Sequence, residues 1–219
     1  MNTPLPALQW KQNGVNHIVK LLPGGRIGAL SDEILAEIRE SNGKPDAKIM
    51  AIRSGNVQLV RQLQNEHIEG KELATTELEE WEESMAGPSG PFDVTYCQPK
   101  TPTPPEARPC ILYLHGGGWQ YGSRKVVLPF CRYLAEQANA VVAVPEYHLA
   151  PEHRWPAALE DCWQLLCRLH AQAETRGIDP ARITVAGDSA GGNLAVCPNF
   201  STPSLPLAPI PNFSFLIPN

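Results

Sequence analysis

The chain has 219 residues, of which 42% are hydrophobic, and a formal net charge of −5 at pH 7. This size allows one domain with an extension, and the acidic balance gives no reason to expect a nucleic-acid partner. No apolar run approaches the roughly 20 residues of a membrane span, and the N-terminus lacks the features of a signal peptide, so we expect a cytoplasmic protein without a membrane span.

Six cysteines are scattered along the chain without the spacing of a zinc or redox motif. We therefore expect small, buried, reduced side chains rather than disulfides, and no metal or cofactor. The cysteines are Cys97, Cys110, Cys131, Cys162, Cys167 and Cys197.

Residues 1–85 are predicted to form an N-terminal extension or helical cap segment. A serine followed by two acidic residues predicts a short helix over 31–40. Apolar spacing predicts a second, interrupted helix over 46–68. The acidic stretch 72–85 contains a threonine and a glutamate at capping-box spacing, and its acids are interpreted as a solvated helix face.

Residues 86–196 are predicted to form the N-terminal half of an α/β core. Alternating apolar residues predict a half-buried strand, continuous apolar runs predict three buried strands, and amphipathic stretches predict the helices between them. The strands are expected at 92–96, 110–114, 140–144 and 183–186, and the helices at 125–139 and 155–176. This alternation implies right-handed crossovers and a mostly parallel sheet with flanking helices.

Residues 197–219 carry no charge and six of the 22 prolines, which predicts a Pro-rich irregular tail. The strand at 183–186 would then lie at an open edge of the sheet. Such an edge can pair with a second chain, so self-association through it is expected.

Two glycine-rich motifs follow predicted parallel strands, at the sheet edge where open α/β folds place their sites. Residues 187–191 read Gly-Asp-Ser-Ala-Gly, the nucleophile-elbow pattern, in which glycines allow a cramped strand-to-helix turn around an exposed serine. Residues 115–118 read His-Gly-Gly-Gly, a loop whose backbone N–H groups can bind an oxyanion.

Around these motifs the chain resembles the hormone-sensitive-lipase-like family of α/β-hydrolases, the fold-3 esterases. The resemblance covers about 85–196, and the family usually has Arg where this chain has His148. It rests on the segments 115–119, 145–153, 156–158 and 179–195. It implies a partial α/β-hydrolase fold and hydrolysis of small-molecule carboxylic esters, such as short-chain acyl esters, by a serine mechanism.

The resemblance also implies roles for individual residues. Ser189 would be the nucleophile, and the backbone N–H groups of Gly117, Gly118 and Ala190 would form the oxyanion hole. The remaining motif residues would shape these two loops: His115, Gly116, Gly187, Asp188 and Gly191.

The triad acid and base stay unknown. In this fold they follow the serine in the chain, but none of the 30 residues after Ser189 is Asp, Glu or His. His148 and His153 are assigned structural hydrogen bonding, and His115 is assigned to the oxyanion loop. We therefore expect a C-terminally truncated serine esterase with impaired activity, through truncation, alternative splicing or a faulty gene model. The alternatives are a non-catalytic small-ligand-binding module and a protein-interaction fragment of hydrolase ancestry.

Overall fold

The protein is described by a computed structural model, which divides it into two compact units, 1–46 and 47–219. In the first unit, β1 (Ala7–Gln12) and β2 (Val15–Lys20) form an antiparallel pair. The helix predicted over 31–40 lies outside the described residues. The described residues are 7–12, 15–20, 47–66, 72–100, 107–197 and 214–216.

Two short helices begin the second unit and confirm the interrupted helix predicted over 46–68. They are α1 (Ala47–Arg53) and α2 (Val57–Glu66). The side-chain oxygen of Asn56 accepts a hydrogen bond from the Leu59 N–H at 3.1 Å, so it caps the first turn of α2.

The prediction of a helix over 72–85 is wrong, because most of this stretch forms β3 (Leu78–Gly87). It runs antiparallel to β4 (Gly90–Pro99), which contains the strand predicted at 92–96. From Trp81 to Gly87, exposure along β3 alternates with the two-residue period of a strand, and the Trp81 ring stacks on Tyr96 with centroids 5.1 Å apart. This cross-strand packing outweighs the helical preference of the acidic residues.

The other predicted core elements are confirmed with small shifts at their ends. β5 (Arg108–Leu114), α3 (Arg124–Ala138) and β6 (Val141–Pro145) are followed by α4 (Ala157–Ala171), β7 (Ile178–Gly187) and α5 (Ala190–Val196). The helix predicted over 155–176 is shorter than expected, and a separate 3₁₀ turn covers Glu174–Arg176.

The last described strand is β8 (Ser214–Leu216), and it completes a six-stranded mixed sheet in the order β3-β4-β6-β5-β7-β8. β5 pairs in parallel with both β6 and β7, and β4 pairs antiparallel with β6. Each of the five strands from β3 to β7 has buried residues, and α3 and α4 pack on the sheet, so the predicted α/β fold with flanking helices is confirmed.

The prediction of an open edge at 183–186 is wrong. Thr184 to Ala186 pair in parallel with Ser214 to Leu216 of β8. These three residues include no proline, so each keeps the N–H group that a ladder requires. Residues 198–213 and 217–219 lie outside the described part, so the irregular tail stays a prediction there. The predicted domain boundaries at 85 and 196 also stay predictions.

The cysteines are free thiols, four of them buried: Cys97, Cys110, Cys131 and Cys162. Burial raises the pKa of Cys97 and of Cys110 to about 12, so both stay protonated at neutral pH. Within the described ranges, none of the helices is both long enough and apolar enough to cross a bilayer. A cytoplasmic location stays a prediction.

Candidate active site

The two glycine-rich motifs lie side by side at one edge of the sheet. β5 and β7 are adjacent and parallel, and their last residues, Leu114 and Gly187, are paired in register. The loop 115–118 leaves the first strand at that point, and the turn 187–191 leaves the second. The predicted convergence of the two motifs is therefore confirmed.

Ser189 lies on a strained turn between β7 and α5. Its φ of 50° and ψ of −116° fall in a region that residues with a side chain rarely adopt. The turn is held by hydrogen bonds from the Gly191 N–H to Asp188 O at 2.8 Å and from the Asn193 N–H to Ser189 O at 3.0 Å. This geometry leaves Ser189 exposed at the sheet edge, as an elbow requires.

Glycine is required at Gly187 and Gly191 because the end of β5 approaches both positions closely. A Cβ atom on Gly187 would lie 2.5 Å from Leu114 O. A Cβ atom on Gly191 would overlap the same oxygen and would lie 2.7 Å from His115 O. Because these neighbours are backbone atoms, they cannot rotate away from an added side chain.

Asp188 joins the serine turn to the glycine-rich loop. Its Oδ1 accepts hydrogen bonds from the Gly116 N–H at 2.9 Å and from the Tyr113 hydroxyl at 3.2 Å. A Cβ atom on Gly116 would overlap the Asp188 carboxylate, so glycine is needed there for the contact. Asp188 therefore belongs to the scaffold of the two loops, in agreement with its assignment to the elbow.

His115 is buried beneath the loop, with 1% of its surface exposed. Its Nδ1 donates to Gly116 O at 3.0 Å, since a carbonyl oxygen can only accept. The Tyr147 hydroxyl donates to His115 O at 2.6 Å, and the two rings stack with centroids 4.3 Å apart. Burial lowers the pKa of His115, so the ring is neutral at pH 7.

His148 is held by a fully buried carboxylate. Its backbone N–H and its Nδ1 both donate to Asp161 Oδ2, at 2.9 and 2.7 Å. The His153 ring lies against the His148 ring, with centroids 4.1 Å apart. The structural hydrogen bonding predicted for His148 is confirmed. In the described part of the chain, histidine side chains bond to Gly116, Tyr147 and Asp161, and none bonds to Ser189.

Helix α2 also reaches this region, which the sequence analysis missed. Arg61 Nε donates to Gln120 O at 2.8 Å, and the Gly122 N–H donates to Gln64 Oε1 at 3.0 Å. The available signal was the set of polar residues at helical spacing along α2. Such a pattern usually marks only a solvated face.

A parallel-stranded α/β core whose adjacent strands end in a glycine-rich loop and a strained serine turn defines an α/β-hydrolase. Residues 111–200 match the family model described as the alpha/beta hydrolase fold. Over this part of its length, the chain is similar to the hormone-sensitive-lipase-like family of α/β-hydrolases.

Several curated relatives have names that denote carboxylic-ester hydrolases. The chain is 40% identical to Carboxylesterase NlhH of Mycobacterium tuberculosis over 114 residues, which are 52% of this chain and 36% of that protein. It is 42% identical to the ethyl acetate hydrolase of Pseudomonas putida over 98 residues, which are 45% of this chain and 31% of that protein. The chain thus spans about a third of the length of these relatives.

Solved structures agree over a longer stretch. A hyperthermophilic esterase from the archaeon Pyrobaculum calidifontis is 30% identical, with a TM-score of 0.65 over 76% of this chain and 51% of that chain. A bacterial heroin esterase is 31% identical, with a TM-score of 0.63 over 76% of this chain and 50% of that chain.

Proposed function

We propose that the chain carries the nucleophile and the oxyanion-binding loop of a carboxylic-ester hydrolase that acts on short-chain acyl esters. The observation that supports this most directly is the strained turn at Ser189, fastened to the glycine-rich loop by the Asp188–Gly116 hydrogen bond. The printed names of the relatives, carboxylesterase and ethyl acetate hydrolase, support the same ester chemistry.

In the proposed reaction, Ser189 Oγ attacks the ester carbonyl carbon and loses its proton to a base. The carbonyl oxygen becomes an oxyanion, which accepts hydrogen bonds from the N–H groups of Gly117, Gly118 and Ala190. Collapse of the intermediate expels the alcohol, which takes up a proton, and water then hydrolyses the acyl-serine. Each oxyanion donor of this kind contributes about 10²–10³ in rate.

We further propose that these 219 residues turn over esters slowly. No histidine side chain in the described residues hydrogen-bonds to Ser189, and a serine without a general base is a weak nucleophile at neutral pH. In triad hydrolases, loss of a triad member leaves about 10³–10⁴-fold catalysis over water, which comes from the oxyanion hole and from binding.

The test combines a serine-directed fluorophosphonate probe with hydrolysis of 4-nitrophenyl acetate. We expect slow labelling of Ser189, located by peptide mass spectrometry, that accelerates with pH because hydroxide must remove the serine proton. Ser189→Ala abolishes the labelling. Ser84→Ala removes an exposed serine on β3 and is the matched control, which should label like the wild type.

Two results would contradict the proposal. A folded wild-type chain that the probe never labels at Ser189 would show that this serine is not the nucleophile. Fast ester turnover that disappears in Ser189→Ala would show that a histidine of this chain completes the site. In that case His115→Ala, His148→Ala and His153→Ala would identify the base.

A further inference from the structure

One face of helix α2 carries polar side chains that bond to two loops at the candidate site. The residues lie three or four positions apart, a spacing that places them on the same side of the helix. They are Gln58, Arg61, Gln64 and Asn65. Val60 on the same helix is fully buried, so α2 is anchored to the core as well as to the loops.

Arg61 makes the most contacts of this set. Its Nε donates to Gln120 O at 2.8 Å, and its Nη2 donates to Ala150 O at 2.9 Å. The two Nη atoms also bond to the two carboxylate oxygens of Glu152, each at 3.0 Å. The rigid planar fork of arginine can satisfy two carbonyls and a carboxylate together, which the single ammonium group of lysine cannot.

Gln120 belongs to the turn that closes the glycine-rich loop. The N–H groups of Gln120 and Tyr121 donate to Gly117 O at 3.2 and 2.9 Å. On the other side, the Ala150 N–H donates to Trp119 O at 2.8 Å. Arg61 therefore bonds to both partners of this arrangement, the turn at 120 and the segment at 150.

The glycine-rich loop needs such outside contacts because its backbone is strained. Three consecutive residues have positive φ: Gly117 at 134°, Gly118 at 60° and Trp119 at 60°. Trp119 has a side chain, so its conformation has an energetic cost that surrounding contacts must offset. When the contacts that stabilise such a strained backbone are removed, the loop is expected to adopt other, less strained conformations.

Two more bonds from α2 extend the contact along the chain. The Gly122 N–H donates to Gln64 Oε1 at 3.0 Å, and the Ser123 hydroxyl donates to Asn65 Oδ1 at 2.7 Å. With the Arg61 bond included, side chains of α2 hydrogen-bond to the chain at positions 120, 122 and 123. These contacts follow directly after the residues that would bind the oxyanion.

We propose that Arg61 is a positioning residue for the oxyanion hole: by bonding Gln120 O, Ala150 O and Glu152 together, it holds the N–H groups of Gly117 and Gly118 in place. The inference rests on the proposed function. It assigns to Arg61 of α2, which lies 59 positions before Gln120, a role in holding the donors on which transition-state stabilisation depends.

The first measurement is amide hydrogen exchange of residues 120–122, whose N–H groups are bonded in the folded loop. Arg61→Met keeps most of the aliphatic stem and removes all four hydrogen bonds. We expect these amides to exchange at least about tenfold faster, the change that loss of one charge-assisted hydrogen bond produces in a local opening equilibrium.

Arg132→Met is the matched control. Arg132 on α3 is also partly exposed, but it forms its ion pairs with Glu72 and Glu80, both at 2.8 Å, rather than with groups of the two loops. This variant should leave exchange at 120–122 unchanged. Arg61→Lys should give an intermediate rate, and Glu152→Gln should have a smaller effect than Arg61→Met because both carbonyl bonds remain.

The second measurement is fluorophosphonate labelling of Ser189 as a function of probe concentration. Donors that act on the transition state affect the maximal labelling rate more than the half-saturating concentration. We expect Arg61→Met to lower the maximal rate about tenfold with little change in half-saturation, while Arg132→Met labels like the wild type.

The two measurements separate the two proposals. Unchanged exchange at 120–122 in Arg61→Met overturns the positioning role, whatever the labelling shows. An equal fall in labelling for Arg61→Met and Arg132→Met would indicate general destabilisation and also overturns it. A wild-type chain that is not labelled contradicts the proposed function, and the exchange rates then decide alone whether Arg61 holds the loop. If Arg61→Met does not fold, the exchange rates of Arg61→Lys and Glu152→Gln provide the comparison.

Discussion

Substitution of Gly191 by alanine tests how tightly the serine turn is packed against β5. The added Cβ would overlap Leu114 O and lie 2.6 Å from Leu114 C and 2.7 Å from His115 O, all backbone atoms. β5 is paired on both sides, with β6 and β7, so it cannot move away. Overpacking of this kind costs about 3 kcal/mol, and replacing glycine in a helix returns about 0.5–1 kcal/mol, so we expect a net loss of about 2 kcal/mol.

Gly192→Ala is the matched control on the same helix. Its Cβ would lie 3.1 Å from Gly187 O, with no closer atom, and the cost of this tight contact offsets the gain of about 0.5–1 kcal/mol from replacing a helical glycine, so the free energy of unfolding should change by less than about 1 kcal/mol. The assay is urea and thermal unfolding followed by circular dichroism. For a chain of this size, a 2 kcal/mol loss lowers the Tm by about 4–8 °C.

Equal unfolding midpoints for Gly191→Ala and Gly192→Ala would refute this account of the turn. If Gly191→Ala does not accumulate as a folded protein while Gly192→Ala does, the account stands, because the two variants differ only in what the new methyl group meets.

Two further substitutions test the neighbouring contacts. Asp188→Ala leaves the Gly116 N–H and the Tyr113 hydroxyl without their acceptor, so urea unfolding should show a loss of about 1–3 kcal/mol, whereas Asp188→Asn, which keeps an acceptor oxygen, should lose less. Because burial lowers the pKa of His115 in the folded state, the unfolded chain binds more protons than the folded chain as the pH falls through about 6.5, the ordinary pKa of histidine, and the free energy of unfolding should fall from pH 7.5 to 5.5. In His115→Gln this fall should be shallower, and an unchanged slope would contradict the burial argument.

The central strands could be predicted from the sequence because burial leaves a local signature. The run from Cys110 to Leu114 is almost entirely apolar, as expected for a strand covered on both faces. The same holds for Val141 to Val144. Once these strands are parallel neighbours, the motifs that follow them must meet at one edge. The prediction of the sheet and the prediction of where the two motifs meet therefore succeeded together.

β3 and β8 were harder to predict from the sequence. An acidic stretch with two apolar residues four positions apart, Trp81 and Met85, fits one face of a helix as well as alternate positions of a strand. Pairing with β4 and stacking of Trp81 on Tyr96 decided the outcome. β8 has only three residues, too few for any period to appear, and its place beside β7 depends on a partner far away in the sequence.

The sequence by itself determined the class of fold, the place of the serine turn after a buried strand and the glycines that this turn requires, because those properties depend on residues close together in the chain. Only the tertiary structure decided which groups hold the two loops. Asp188 meets Gly116 across 72 positions, and Arg61 meets Gln120 across 59. A polar side chain on a helix has the same local pattern whether it faces water or a carbonyl oxygen. Folding alone brings the partner within 3 Å, and so the contacts that position the site have no signature in the sequence.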